Sequence, residues 1–181
     1  MPFLPTGIPD LQVFEPKIWE DDRGYFYEAF NRKTFEAAGI NCYFVQDNQA
    51  YSSYGVLRGL HYQVAPFAQA KLVRVITGEV LDVAVDLRED SPTYGQSFGV
   101  ILSGANKKQL YVPRGFAHGY AVLSETATFF YKCDNYYSKA HEGGLIYNDP
   151  QLKIDWKLAP AAVQLSDKDK TLPAFGQHRK S

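Results

Sequence analysis

Cysteine is scarce in this chain: Cys42 and Cys133 are the only two among 181 residues. They form neither a metal-ligand spacing nor the dense disulfide framework of small secreted proteins, and both stand in apolar strand patterns where they pack as small hydrophobes. No apolar run is long enough to cross a bilayer, and the opening M-P-F-L-P-T-G-I-P-D has neither the basic region nor the apolar stretch of a signal peptide. A cytoplasmic location without a membrane partner is expected. Excess charge is missing too: nineteen Lys and Arg against twenty Asp and Glu leave a net charge of -1, so bulk charge favours neither nucleic acid nor an anionic surface. Any anionic ligand must be held by a local site. No Pro/Ser-rich linker, charge block or solenoid repeat divides the chain, which predicts one domain over residues 1–181.

The alanine-rich periodicity of a helical bundle is likewise absent. In its place stand 13 Tyr, 12 Phe and many Val, residues that favour strands. Strand-patterned runs recur behind turn signals at Leu11–Trp19, Gly24–Phe30, Cys42–Gln46, Val56–Gln63, Lys71–Thr77, Val80–Leu87, Phe98–Leu102, Gln109–Val112 and Thr126–Cys133. Their spacing predicts an all-β fold, an antiparallel sandwich or barrel. One helix is expected over Arg32–Ala38, closed by Gly39, and one or two short helices in the tail from Ala159. Leu81, Val83 and Val85 share one strand face, with Asp82, Ala84 and Asp86 on the other. The acidic face therefore lines either solvent or a barrel lumen. By the same alternation Lys71 shares a face with Val73 and Val75, and Phe129, Tyr131 and Cys133 lie together.

Y-G-V-L-R-G-L-H-Y-Q at 54–63 places Arg58 and His61 in a short apolar strand. A guanidinium beside an imidazole suits an anion held next to a base, but residues three apart point to opposite faces of a regular strand. Gly59 offers the remedy: a glycine inside a strand often marks a bulge, which turns Arg58 toward the face of His61 and Gln63. Without a bulge the segment is an ordinary half-buried strand. P-R-G-F-A-H at 113–118 has the P-x-G-x-x-H form of the second half of a cupin metal signature. The first half needs H-x-H, whereas this chain has His61-Tyr62-Gln63, followed by Lys71 as the next charged residue. Two imidazoles beside an ammonium and without a carboxylate are a poor site for a divalent ion, so the barrel is expected to have lost its metal. An imidazole freed of a metal is suited to proton transfer, which makes His61 a candidate general base. Asp82, Asp86, Asp167 and Asp169 are all available to orient it, and spacing leaves that choice open.

Eight blocks in order extend this pattern: D-D-R-G-Y-F-Y-E-A-F-N at 21–31, F-V-Q-D-N at 44–48, G-V-L-R-G-L-H-Y-Q at 55–63, A-K-L-V-R-V at 70–75, G-E-V-L-D-V-A-V-D-L-R at 78–88, V-P-R-G-F-A-H-G at 112–119, Y-K-C-D-N-Y-Y at 131–137 and L-S-D-K-D at 165–169. Together they resemble the dTDP-4-dehydrorhamnose 3,5-epimerase family, metal-independent cupins that act on a dTDP-4-keto-6-deoxyhexose. The resemblance implies a cupin-type jelly-roll barrel of antiparallel strands with a few short peripheral helices, no cofactor, and a homodimer whose N-terminal strands pair across the interface. It matches His61 to the base, Asp169 to its orienting carboxylate, Tyr131 to the acid on the far face and Lys71 to the cation beside the C4 oxygen. Around the nucleotide diphosphate and sugar it places Arg23, Glu28, Gln46, Asp47, Asn48, Arg58, His118, Glu142 and Lys168, with Phe26 and Tyr136 as stacking surfaces for thymine. Asp82 and His118 are expected to form a second His–carboxylate pair in the lumen. Ala50 and Tyr54 depart from the residues common at those positions, Ser and a basic residue. Three rivals are a mono-epimerase acting at C3 or C5 alone, a metal-dependent cupin oxygenase using His118, and a non-catalytic sugar-nucleotide-binding barrel.

Overall fold

The computed structural model describes residues 2–180. Its strands are β1 (Phe3–Pro5), β2 (Gln12–Phe14), β3 (Ile18–Asp21), β4 (Gly24–Tyr27), β5 (Gln46–Ser53), β6 (Leu57–Gln63), β7 (Lys71–Thr77), β8 (Glu79–Asp86), β9 (Ser97–Ser103), β10 (Gln109–Val112), β11 (Phe116–Val122), β12 (Thr126–Cys133) and β13 (Glu142–Gly144). One sheet runs β1-β2-β10-β7-β12-β5 and a second runs β13-β6-β11-β8-β9, while β3 and β4 form a separate hairpin. Strand pairing within them is antiparallel.

Alternation along the strands decides what fills the space between the two sheets. Val73 and Val75 of β7 and Phe129 of β12 face Val80 and Ala84 of β8 and Val122 of β11, all buried in one cluster. Withdrawing a side chain such as Phe129 from water stabilises the fold by about 2 to 3 kcal/mol. Leu81, Val83 and Val85 point the other way and pack with Leu57, Leu145, Leu152 and Trp156. Asp82 and Asp86 thus lie on the inward face, fully buried. Desolvation alone would raise the Asp86 carboxyl, but hydrogen bonds from Arg88, Ser91 and Thr93 bring it down to about 2. A third cluster surrounds helix α1 (Arg32–Ala37), where Phe35 meets Phe3, Phe14 and Phe30 at 5.0 Å each. Asn31 caps this helix by accepting the Lys33 backbone N–H at 3.0 Å, and Gly39 leaves it with φ +84°.

Several strand boundaries differ from the sequence expectation. The run Leu11–Trp19 breaks into β2 and β3 around Pro16, which has no N–H to give a ladder. Cys42–Val45 is not a strand; the strand instead starts at Gln46 and continues to Ser53 through residues whose inward set is Gln46, Asn48, Ala50 and Ser52. β11 was hidden because Phe116–Val122 is buried on both faces and shows no alternation. The tail carries only single 3-10 turns at Pro160–Ala162 and Asp169–Thr171. Among the described residues no helix is long and apolar enough to cross a membrane.

Candidate active site

The two sheets enclose a cavity of about 480 Å³ lined from both sides. β6 supplies Arg58 and His61 to it together, and the reason is a bulge. His118 lies opposite His61 and Tyr120 opposite Arg58, so three steps on β6 match two on β11. At the bulge Gly59 has φ +128°, and a Cβ there would sit 2.6 Å from the Gly119 Cα. Only glycine tolerates both the dihedral and the approach of the neighbouring strand.

His61 Nε2 meets Asp169 Oδ1 at 2.5 Å. Burial works to raise the Asp169 carboxyl, yet the hydrogen bond and charge of His61, helped by Ser166, hold it below the usual carboxylate range. Of the four carboxylates left open by spacing, the fold therefore brings Asp169 to His61, whereas Asp82 pairs with His118. That second pair is buried, with His118 Nε2 3.0 Å from each Asp82 oxygen. Asp86 is held by Arg88, and Asp167 is exposed and paired with Lys170.

Lys71 and Tyr131 enter from the other sheet, on β7 and β12. The Lys71 ammonium lies 5.9 Å from the centre of the Tyr131 ring. Desolvation lowers the Lys71 pKa, against the pull of Cys133, Asp82 and Glu142. Burial also pushes the Tyr131 phenol up, to about 12. His61, Lys71 and Tyr131 also border a second recess of about 190 Å³, into which Gln46, Asn48 and Glu142 project. Lys168 closes onto Glu142 at 2.6 Å. Among the described residues no group of three or more His, Cys, Asp or Glu side chains converges as metal ligands would.

Five expected binding residues lie elsewhere in this chain. Asp47 falls on the outward face of β5, where it pairs with Lys132 at 3.0 Å, because it sits one step out of phase with Gln46 and Asn48. Arg23 and Phe26 belong to the β3–β4 hairpin, which lines neither recess; Arg23 binds Asp21 and Phe26 is 71 % exposed. Glu28 is exposed just beyond that hairpin. Tyr136 turns outward, and its neighbour Tyr137 lines the second recess instead. Tyr120 and Ser166 line the main cavity, Tyr137 lines the second recess and Ser52 accepts from the Arg58 guanidinium, four residues that sequence reading missed. The period-two set Gln46, Asn48, Ala50, Ser52 was the signal available for Ser52.

Residues 5–177 match the sequence profile of the dTDP-4-dehydrorhamnose 3,5-epimerase family. The chain belongs to this family. It is 54 % identical over 170 residues to the dTDP-4-dehydrorhamnose 3,5-epimerase of Shigella flexneri, covering 93 % of each chain. Its fold is similar to the crystal structure of the enzyme of that name from Elizabethkingia anophelis NUHP1, with TM-score 0.93, 56 % identity and 96 % of each chain covered. It is also similar to the dTDP-6-deoxy-D-glucose-3,5-epimerase of Legionella pneumophila Philadelphia 1, solved in complex with dTDP-4-keto-L-rhamnose. There the TM-score is 0.93 at 53 % identity, covering 97 % of this chain and 93 % of that one. The all-β antiparallel architecture is accordingly the cupin-like jelly roll of these epimerases.

Proposed function

We infer that this chain is an isomerase that inverts C3 and C5 of dTDP-4-dehydro-6-deoxy-D-glucose, giving dTDP-4-dehydro-L-rhamnose in dTDP-L-rhamnose biosynthesis. The observation that carries the reading is the His61–Asp169 pair on one wall of the cavity, with Lys71 and Tyr131 on the facing sheet. His61 is the base: with Nε2 engaged by Asp169, its Nδ1 takes the proton from the carbon next to the C4 ketone. Such a proton is too weakly acidic for imidazole unless the enolate is stabilised, and the Lys71 ammonium in a low-dielectric cavity does this at the C4 oxygen. Tyr131 then returns a proton to the opposite face, its high pKa keeping the phenol protonated until the enolate forms. Both C3 and C5 flank C4, so one set of groups serves twice once His61 has given its proton to solvent and the Tyr131 phenolate has taken one back. The exchange is redox-neutral, and protons alone are moved.

Gln46, Asn48, Arg58, Glu142 and Lys168 hold the nucleotide sugar, with guanidinium on diphosphate. Arg23 and Phe26 serve through a homodimer, the exposed β3–β4 hairpin reaching the nucleotide end of the partner's site. Trp19, Tyr25 and Phe26 at 49 %, 56 % and 71 % exposure favour that reading, since such an apolar hairpin is costly to leave in water. The working unit is a single domain per chain, acting in the cytoplasm.

Turnover in heavy water tests the reaction. Deuterium is expected at both C3 and C5; incorporation at one carbon only would make the chain a mono-epimerase, and none at either would make it a binding barrel. His61→Asn is expected to lower exchange at both carbons by about 10²- to 10⁴-fold, whereas Tyr131→Phe retains partial exchange without inversion. Wild-type exchange in His61→Asn would remove His61 from the role of base.

A further inference from the structure

Tyr120 on β11 packs its ring in the core between the two sheets, but neither that packing nor the chemistry above uses its hydroxyl. It is 5 % exposed and its ring stacks on Phe129 with centroids 4.0 Å apart and planes 14° from parallel. The residue lines the main cavity. Among the described residues its phenol oxygen is the one buried side-chain N or O atom without a hydrogen-bond partner. A phenylalanine would give the same stack without burying a hydroxyl that has lost its bonds to water. The hydroxyl is therefore unexplained by packing.

Its surroundings indicate what is missing. Arg58 is its register partner across β6 and β11. Ser52 Oγ accepts from Arg58 Nε and Nη2 at 3.3 Å each, long bonds that leave an exposed guanidinium loosely parked. Burial raises the Tyr120 pKa, and the Arg58 charge together with weak polar contacts to Ser52 and Arg58 opposes that rise, although neither contact has the distance and angle of a full hydrogen bond. A cation and an unused O–H donor thus share one end of the cavity, and the group that satisfies both is an anionic acceptor.

We propose that the Tyr120 hydroxyl donates a hydrogen bond to a diphosphate oxygen of the bound nucleotide sugar, beside the Arg58 guanidinium. The hydroxyl is then a substrate-binding group that the free protein keeps enclosed and unsatisfied, uncovered when the loosely held Arg58 guanidinium turns to the diphosphate. This rests on the epimerase reading, since it takes the dTDP moiety as the ligand.

Tyr120→Phe keeps the ring and its stack and removes only the oxygen. Inhibition constants for dTDP and for thymidine, measured against turnover, are compared with KM, kcat and the Tm of the free protein. Inhibition by dTDP is expected to weaken roughly tenfold, that by thymidine to stay the same, and kcat/KM to fall through KM. The Tm should equal or exceed that of the wild type, because an unsatisfied buried hydroxyl has gone. Unchanged dTDP inhibition overturns the proposal, as does an equal loss for thymidine, which would trace the effect to ring packing. A fall in kcat with dTDP inhibition unchanged overturns it too, placing the hydroxyl on the sugar. Wild-type protein that neither responds to dTDP nor turns over the keto sugar would instead remove the epimerase reading itself.

Discussion

Asp169 is buried while the imidazole it holds stays about one-third exposed, and this asymmetry suits a carboxylate that orients a base rather than acting as one. A hydrogen bond from one ring nitrogen keeps the lone pair of the other aimed into the cavity and stabilises the imidazolium once it forms. Replacing the carboxylate by an amide preserves the shape but loses the charge and permits the wrong tautomer. Asp169→Asn is therefore expected to reduce kcat by about 10²-fold or more with a much smaller change in KM. A wild-type kcat would show that His61 needs no partner. His118 is a different case, because Asp82 engages it and both are buried, so the pair is held in the wall of the cavity.

At the scale of elements the decisive feature is the bulge in β6. A regular strand would send Arg58 to the face away from His61 and separate the cation from the base. Gly59→Ala would drive a Cβ to 2.6 Å from the Gly119 Cα and 2.9 Å from the His118 carbonyl oxygen, at a φ that L residues avoid. The variant is expected to lose about 3 kcal/mol of stability in urea unfolding and to bind dTDP more weakly, as the bulge shifts. Unaltered stability and binding would mean that β11 yields easily. The bulge was legible from a glycine between two charged-site residues. β5 was not, since its inward residues Gln46, Asn48 and Ser52 are polar and an apolar-in pattern looks past them. The run expected over Cys42–Gln46 reaches a strand only at Gln46, for the converse reason: Cys42 and Phe44 are packed against the α1 cluster, so their apolar spacing reflects packing outside any ladder.

For the whole molecule the question is why residues that the resemblance assigns to the substrate lie on a hairpin that lines neither recess of this chain. A two-fold dimer answers it if each hairpin serves the other chain's site. Co-expressing Arg23→Ala with His61→Asn chains then gives heterodimers in which one site has both native groups. Random pairing should place about a quarter of all sites in that state, so activity at low substrate should exceed that of either variant alone. No recovery, with dimers present by sedimentation, would put Arg23 outside the site.

Local features were readable without coordinates because they reside in residue types and spacing: the alternation of β8, the glycine in β6, the broken metal signature and His61 as a candidate base, whereas the roles given to Lys71, Tyr131 and Asp169 came from the family resemblance. Three matters were decided only by tertiary structure. Spacing left Asp82, Asp86, Asp167 and Asp169 open, and the fold makes the contact to Asp169 that the resemblance implied, because 108 residues of chain bring the tail back to β6, a long-range closure that spacing does not encode. Tyr137 was placed in the recess and Tyr136 outside it by the path of an irregular segment with no period to read. The hydroxyl of Tyr120 was left without a partner by the packing of two sheets, since only their mutual approach determines which polar atoms lose water.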